Sequence, residues 1–270
     1  MILWILGGDA RSRYAAEYLQ AYGYEVQTFG VPETADSPLP TKIAHAVLPF
    51  PSFSGASIRG QSAIPVEEVL SRVQENTRVF GGLFARWKDS FLSRGAKIHD
   101  LYGSEPLTTS NAVPTAEGAI CLAIEHSAIT LHGAQCLICG FGRCGKVLAQ
   151  KLQALQANVT VSARSEGDIA LASAMGLRTD VSGIWRHGLK QYDFIFNTVP
   201  APLFTEEQAH TLTSCIIIDL ASRPDGIKLF EHALPHYYFA PGLPGKYAPK
   251  SAGILYAQSI IKQLESEGFH

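Results

Sequence analysis

The stretch Gln135-Cys-Leu-Ile-Cys-Gly-Phe-Gly-Arg-Cys-Gly145 is an apolar run that leads directly into three spaced glycines. A helical segment from Arg143 to Leu155 follows, and then a second apolar run, Asn158-Val-Thr-Val-Ser162. A G-x-G-x-x-G pattern that follows a strand, opens a helix and sits in a unit of roughly 30 residues is typical of a dinucleotide site. A glycine turn without a ligand is the less favoured alternative. The stretch therefore predicts a Rossmann dinucleotide-binding unit.

The cofactor contacts are predicted at this turn and at two later loops. Backbone N–H groups and the positive end of the helix can hold phosphates, at Gly140, Phe141, Gly142, Arg143, Cys144 and Gly145. Ligands of open α/β sheets gather beyond the carboxyl ends of the strands, so loops there are predicted to contact the nicotinamide. The predicted loop residues are Thr198, Val199, Pro200, Leu220 and Ala221. A purely structural reading, in which proline and glycine shape tight loops, would also explain each loop singly.

The end of the second strand of this unit indicates which dinucleotide is preferred. An NAD site usually has Asp or Glu about 20 residues after the glycines, but this chain has Ala163-Arg164-Ser165. The planar guanidinium of Arg164 can bind a 2′-phosphate, and the hydroxyl of Ser165 can add a hydrogen bond. NADP is therefore favoured over NAD. The alternative is that Arg164 is only a solvated cation.

Composition excludes several classes of function. The chain has 270 residues, 46% of them hydrophobic, which is enough for two modest domains or one large one. A formal net charge of −2 gives no general attraction for nucleic acid or for an anionic membrane. The apolar start, Met1 to Leu6, has no basic leader and is far too short to span a membrane. We predict a first strand there and a cytoplasmic protein.

The five cysteines form no disulfide framework, which fits a reducing cytoplasm. Cys136, Cys139 and Cys144 are close enough in sequence to suggest a metal site. However, the first two lie on a strand that should be buried and the third lies at the glycine turn. We interpret them as small buried side chains and predict no bound metal.

The order of the predicted elements gives an α/β protein with two doubly wound parallel-sheet domains, linked by crossing helices. Residues 1–113 form the first domain, and the helix at 252–268 packs back on it. Residues 114–130 form the connecting helix, and residues 131–250 form the Rossmann domain. In the first domain, strands are predicted at Ile2 to Leu6, Glu25 to Phe29, Ala44 to Pro49, Arg78 to Gly81 and Lys97 to Asp100.

Several motifs outside the glycine turn carry a resemblance to a known family. They are Gly7-Gly8-Asp9-Ala-Arg11, Pro114-Thr115-x-Glu117-Gly118, His132-Gly133, Ala163-Arg164-Ser165, Asp219-Leu-Ala-Ser-Arg223-Pro and Ala240-Pro-Gly-Leu-Pro-Gly-x-x-Ala-Pro-Lys250. Together they closely resemble the A subunits of bacterial dipicolinate synthase. The resemblance covers nearly the whole chain, and it is strongest over residues 111–253 and weakest over residues 30–79.

The resemblance implies an oxidoreductase for the last step of dipicolinate formation during sporulation, in the cytoplasm of the mother cell. Its substrate would be dihydrodipicolinate or the hydrated 4-hydroxy-tetrahydro form. The family works with a separately encoded, flavoprotein-like B subunit. Assembly of the chain into a homo-oligomer is left open.

A dicarboxylate substrate requires cations, hydroxyls or helix N-termini, and oxidation also requires a base. The predicted catalytic residues are Arg11 and Arg223, which each follow a strand end, and Glu117 as the base. The predicted substrate-binding residues are Ser52, Ser54, Arg59 and Lys246. A solvated surface role is the alternative for each cation, and an acidic residue that favours the helix dipole is the alternative for Glu117.

Two other functions are compatible with these patterns. One is a different NADP-linked dehydrogenase, of the shikimate or 2-hydroxyacid type. The other is a noncatalytic, NADP-binding partner that positions the B subunit.

Overall fold

The computed structural model describes residues 1–181, 188–201, 204–221 and 234–269. The chain divides into two compact units. The first consists of Met1–Asn111 with Ala248–His270, and the second consists of Ala112–Tyr247.

The first unit is built on a parallel sheet. Its strands are β1 (Ile2–Leu6), β2 (Glu25–Phe29), β3 (Ile43–Val47), β4 (Phe53–Ser54), β5 (Ser57–Ile58), β6 (Ile64–Pro65), β7 (Val73–Gly81) and β8 (Lys97–Asp100). Five of them pair in parallel in the order β2-β1-β3-β7-β8. The order reverses between β1 and β3, which makes the carboxyl ends of these two strands the place where a doubly wound sheet binds ligands.

Helices α1 (Ala10–Tyr22), α2 (Val66–Leu70), α3 (Lys88–Leu92) and α4 (Glu105–Ser110) also belong to the first unit. Helix α1 begins at Asp9, whose side chain accepts a hydrogen bond from the Arg11 amide. It ends at Gly23, whose φ of 112° is the left-handed conformation that glycine adopts readily.

Strands β4, β5 and β6 form a small antiparallel sheet inserted after β3. The sequence predicts only a loop after Pro49, so this insertion was missed. Each of its strands has two residues, which is too short for an alternating pattern to be recognised.

The second unit has the strand order of a Rossmann domain. Its strands are β9 (Gln135–Cys139), β10 (Asn158–Ala163), β11 (Arg178–Val181), β12 (Phe194–Asn197), β13 (Ile216–Asp219) and β14 (Tyr237–Phe239). In the described part of this unit they pair in parallel, in the order β11-β10-β9-β12-β13-β14. This is the order of two mononucleotide-binding halves that meet at β9 and β12. The predicted fold class is confirmed.

Helices α5 (Ala112–Glu125), α6 (Arg143–Ala154), α7 (Glu166–Ala174), α8 (Glu206–Ala209) and α9 (Leu243–Tyr247) accompany this sheet. Helix α6 buries Leu148, Ala149 and Leu152 in a core that includes Cys136 and Ile138 of β9. Helix α5 packs against α6 and α9, and the role of residues 114–130 as a connecting helix stays a prediction.

The last helix, α10 (Pro249–Ser266), packs along α1 in the first unit. A Cβ atom at Gly253 would lie 2.5 Å from the carbonyl oxygen of Arg11, so the two helices approach too closely for a side chain there. The buried Tyr256 hydroxyl donates to the carbonyl oxygen of Leu48, at 2.6 Å. Helix α10 is thereby fixed beside the carboxyl end of β3.

Cys136 and Cys139 are buried on β9, as the sequence predicted. Burial raises the pKa of the Cys136 thiol to about 12, and such a thiol is protonated and unreactive. No three His, Cys, Asp or Glu side chains converge as metal ligands among the described residues. The described helices include none with the length and apolar character needed to cross a membrane.

Candidate functional site

The glycine turn between β9 and α6 combines two glycines that are needed for packing with one that faces open space. A Cβ atom at Gly145 would lie 2.3 Å from the carbonyl oxygen of Gly140, which would force α6 away from the strand. Gly140 has a φ of 97°, and a Cβ atom there would lie 2.5 Å from the Thr198 hydroxyl oxygen. A Cβ atom at Gly142 would meet nothing within 4 Å. The backbone at Gly142 is therefore open to a close-fitting ligand.

Gly142 is also the N-cap of α6, and it has no side chain that could accept a hydrogen bond from the first turn of this helix. Helix N-termini carry unpaired N–H groups and a partial positive charge, which together favour an anion. Phe141 is buried in the core beneath the turn, and Cys144 is half-buried. The predicted phosphate site is thus formed by the backbone of the turn, with the exposed cation Arg143 at the start of α6.

The end of β10 presents a cation, Arg164. Arg164 is exposed and makes no ion pair with any residue in the described ranges. The Ser165 hydroxyl caps α7 by accepting from the Asp168 amide, at 3.3 Å. Lys146 Nζ lies 3.3 Å from a carboxylate oxygen of Asp168 and neutralises it. Arg164 therefore remains available to an anionic group.

A buried hydrogen-bond network joins the strand ends that precede the two predicted nicotinamide loops. Asn197 Nδ2 donates to Asp219 Oδ1 at 2.8 Å, and the Tyr237 hydroxyl donates to Asp219 Oδ2 at 2.8 Å. The backbone amide of Ala221 also donates to Asp219 Oδ1, at 3.1 Å. The Val199 amide donates to Asn197 Oδ1 at 2.9 Å. The network fixes the starts of the loops at 198–200 and 220–221.

Sequence reasoning missed this network, although Asn197 and Asp219 each end an apolar run and that position was a usable signal. Burial raises the pKa of Asp219, and hydrogen bonds from Tyr237, Ala221 and Asn197 partly oppose this effect. A buried carboxyl group with three donors acts as a structural anchor.

Asp219→Ala is expected to destabilise the second unit by about 3 kcal/mol, because three hydrogen bonds to the buried carboxylate are lost at about 1 kcal/mol or more each. Chemical denaturation followed by circular dichroism measures this loss. Asp193→Ala is the matched control, since the half-buried Asp193 accepts from the Gln135 amide. A loss for Asp219→Ala no larger than that for the control would contradict the anchoring role.

In the first unit, Arg11 forms an ion pair with the neighbouring carboxylate of Asp9. Its Nε lies 2.9 Å from Asp9 Oδ1, and its Nη2 lies 2.7 Å from Asp9 Oδ2. Burial alone would raise the pKa of Asp9, but the hydrogen bonds and charge of Arg11, and to a smaller extent the charge of Arg59, hold it below its usual value. The charges of Arg11 and Arg59, both predicted substrate or catalytic residues, thus both act on Asp9.

The other predicted substrate residues of the first unit have different environments. Ser52 is fully buried, and its hydroxyl donates to the Pro49 carbonyl and accepts from the Gly82 amide, both at 2.9 Å. Ser54 is exposed on β4. The hydroxyl of Ser52 holds the loop in place, and the substrate contacts of both serines stay predictions.

The remaining predicted residues lie in the second unit. Glu117 is exposed on α5 and accepts from Lys151 Nζ at 2.8 Å. Lys246 is exposed on α9, with its Nζ 4.7 Å from the centre of the Tyr247 ring. Arg223 lies outside the described residues. The predicted roles of these three residues stay predictions.

The chain is similar to known proteins over most of its length. It is 31% identical over 232 residues to the A subunit of dipicolinate synthase from Bacillus subtilis (strain 168), a match that covers 83% of this chain and 78% of that protein. The crystal structure of the corresponding A subunit from Bacillus halodurans has a TM-score of 0.86 at 26% identity and covers 97% of each chain. The crystal structure of the Bacillus subtilis A subunit has a TM-score of 0.84 at 28% identity and covers 98% of this chain and 96% of that chain. No protein-family model matches the chain.

The sheet order and the glycine turn define a two-unit α/β protein whose second unit has the Rossmann fold of nucleotide-binding dehydrogenases. A transhydrogenase from Sinorhizobium meliloti shares this fold, with a TM-score of 0.72 at 14% identity over 99% of this chain and 94% of that chain. The chain belongs to the family of dipicolinate synthase A subunits. The resemblance noted in the sequence is confirmed.

Proposed function

We propose that this protein is an NADP-dependent oxidoreductase that converts dihydrodipicolinate to dipicolinate together with a B subunit. The observation that carries the proposal is the open backbone of Gly142 on the uncapped end of α6, in a chain of this family. Glycine turns of this kind hold the pyrophosphate of a dinucleotide by main-chain amides.

The reaction removes one hydride and one proton from the dihydropyridine ring, and the gain of aromaticity favours the pyridine product. NADP⁺, when bound at the glycine turn, would supply the hydride acceptor. The tasks of the chain are to align the ring, to bind its carboxylates and to provide a group for the proton. The Asn197–Asp219–Tyr237 network supports this assignment, because it fixes the loops that would place the nicotinamide.

Arg164 supports NADP over NAD. Its exposed guanidinium follows β10, where an NAD site usually has a carboxylate for the ribose hydroxyls. Among the described residues no carboxylate forms an ion pair with Arg164, and the nearby Asp168 pairs with Lys146 instead.

Arg11 is proposed to bind a substrate carboxylate, and Arg223 is proposed to assist. Asp9 occupies the Nε and Nη2 side of the Arg11 guanidinium, which leaves the N–H groups of Nη1 for a ligand. Glu117 remains the proposed base, and in that role its carboxylate would have to leave Lys151.

The direct test mixes the purified chain and its B subunit with dihydrodipicolinate and NADP⁺, and follows NADPH by absorbance. We expect NADPH to form in step with dipicolinate. Arg11→Gln should lower kcat/KM about a hundredfold, since a charged hydrogen-bond partner contributes about 1.5–3 kcal/mol. Arg13→Gln, on the same helix, is the control.

Three results would count against the proposal. Dipicolinate formed without reduction of NADP⁺ would remove hydride transfer to this coenzyme. Full activity of Arg11→Gln would remove the proposed role of Arg11, and full activity of variants at Glu117, Arg11 and Arg223 alike would support a noncatalytic, coenzyme-binding role. Turnover of a shikimate or 2-hydroxyacid instead of the dihydropyridine would assign a different dehydrogenase.

A further inference from the structure

The β4–β6 insertion is attached directly to the turn between β1 and α1. The Gly8 amide donates to the Arg59 carbonyl oxygen at 2.7 Å, and Gly8 and Gly60 form a parallel bridge. A Cβ atom at Gly60 would lie 2.7 Å from the Gly8 nitrogen, and one at Gly7 would lie 2.9 Å from the Arg59 oxygen. Glycine at these positions is therefore required for the insertion to reach the strand end where a ligand is expected.

This attachment fixes the backbone of Arg59 on both sides. Besides the bond from Gly8 to its carbonyl group, the Arg59 amide donates to the Ser52 carbonyl oxygen at 2.9 Å. The side chain of Arg59 is exposed. A fixed backbone with an exposed guanidinium suits a residue that binds a ligand at a set distance from Arg11.

The charge pairing of Arg59 differs from that of its neighbours. Four other arginines of the first unit make ion pairs with glutamates: Arg13, Arg72, Arg78 and Arg94. Within the described residues Arg59 makes no such pair. The charges of both Arg11 and Arg59 act on the carboxylate of Asp9, and two guanidinium groups near that carboxylate favour a further anion.

We infer that Arg11 and Arg59 together recognise a dicarboxylate, and that Arg59 is the residue that distinguishes a dicarboxylate from a monocarboxylate. Arg11 binds one carboxylate through the N–H groups that Asp9 leaves, and Arg59 binds the carboxylate on the other side of the ring. The inference rests on the proposed function, because it assumes that the substrate ring lies at the carboxyl ends of β1 and β3.

The test compares two pyridine acids as probes. Pyridine-2,6-dicarboxylate and pyridine-2-carboxylate are titrated calorimetrically into the full chain with NADP⁺ present, a combination in which no hydride transfer occurs. Arg59→Gln should lower the affinity for the dicarboxylate about tenfold, which is the equivalent of one charged hydrogen bond. The affinity of the same variant for the monocarboxylate should stay within about twofold of the wild-type value, whereas Arg11→Gln should weaken the binding of both acids.

The controls separate this inference from the proposed function. Arg86→Gln removes another exposed arginine of the first unit, one that lies 5.6 Å from the centre of the Trp87 ring, and should change neither affinity. Arg59→Lys keeps the charge without the planar guanidinium group and should lose less affinity for the dicarboxylate than Arg59→Gln. Thermal denaturation checks that each variant is folded.

Dicarboxylate binding that is normal in wild type and unchanged in folded Arg59→Gln would overturn the inference and leave the proposed function standing. Equal losses for both acids in Arg59→Gln would overturn the role in discrimination. No binding of the dicarboxylate to the wild-type chain would overturn both.

Discussion

Gly145→Val is expected to destabilise the second unit by about 3 kcal/mol and to abolish coenzyme binding. A Cβ atom at this position would lie 2.3 Å from the backbone oxygen of Gly140, and backbone cannot rotate away as a flexible side chain can. Helix α6 must then move off β9, and overpacking of this kind costs about 1–3 kcal/mol or more. The same movement displaces the helix N-terminus from the proposed phosphate site. Chemical denaturation and a coenzyme titration measure the two effects.

Gly142→Ala is the matched control in the same turn, and it should separate binding from stability. Its Cβ atom would meet no protein atom within 4 Å, and the φ of Gly142, −76°, suits any residue. We expect a stability change below about 1 kcal/mol. NADP affinity should still fall at least about tenfold, because the added methyl group lies where the pyrophosphate is proposed to approach. Normal NADP affinity in Gly142→Ala would place the pyrophosphate elsewhere.

Arg164→Asp is expected to reverse the preference between the two coenzymes. The substitution removes a cation from the proposed 2′-phosphate site and adds a carboxylate that can accept from a ribose hydroxyl. Loss of a charge-assisted contact is worth about 1.5–3 kcal/mol, and repulsion of the phosphate adds to it. The ratio of NADP to NAD affinity should therefore fall by about two orders of magnitude or more.

The measurement is a pair of titrations, with NADP⁺ and NAD⁺, on the wild type and the variant. Arg178→Asp is a suitable control, because Arg178 begins β11 and lies 3.3 Å from the Gln135 side chain. Equal losses of affinity for both coenzymes in Arg164→Asp would show that Arg164 does not bind the 2′-phosphate.

The fold of the second unit could be predicted because its signals are local. The apolar run at 135–139, the glycines and the second run at 158–162 each follow from a few neighbouring residues, and the structure has β9, α6 and β10 there. In the first unit, the sequence also predicted the same first and last residues that the structure has for three strands, Ile2–Leu6, Glu25–Phe29 and Lys97–Asp100. Periodicity within a short window was sufficient for them.

What could not be predicted depends on contacts between distant segments. The bridge between Gly8 and Gly60 joins residues far apart in the chain, and no pattern near either glycine indicates it. Asp219 was visible as the end of a strand, but its donors Asn197 and Tyr237 come from other strands. Strand β11 was also missed, since Arg178-Thr-Asp-Val181 is short and largely polar.

The contacts of the predicted site side chains were harder to predict from the sequence than the fold, for the same reason. Glu117 on α5 forms an ion pair with Lys151 on α6. This pair can be predicted only when the packing of the two helices is known. Burial of Ser52 beneath Gly81 and Gly82 likewise depends on β7 lying beside β3.

Calorimetric titration of NADP⁺ into the folded chain, with its B subunit present, measures whether the glycine turn between β9 and α6 holds a coenzyme. We expect saturable binding of NADP⁺ that is tighter than binding of NAD⁺ and that is weakened by Gly142→Ala. No uptake of either coenzyme, in its oxidised or its reduced form, would contradict it.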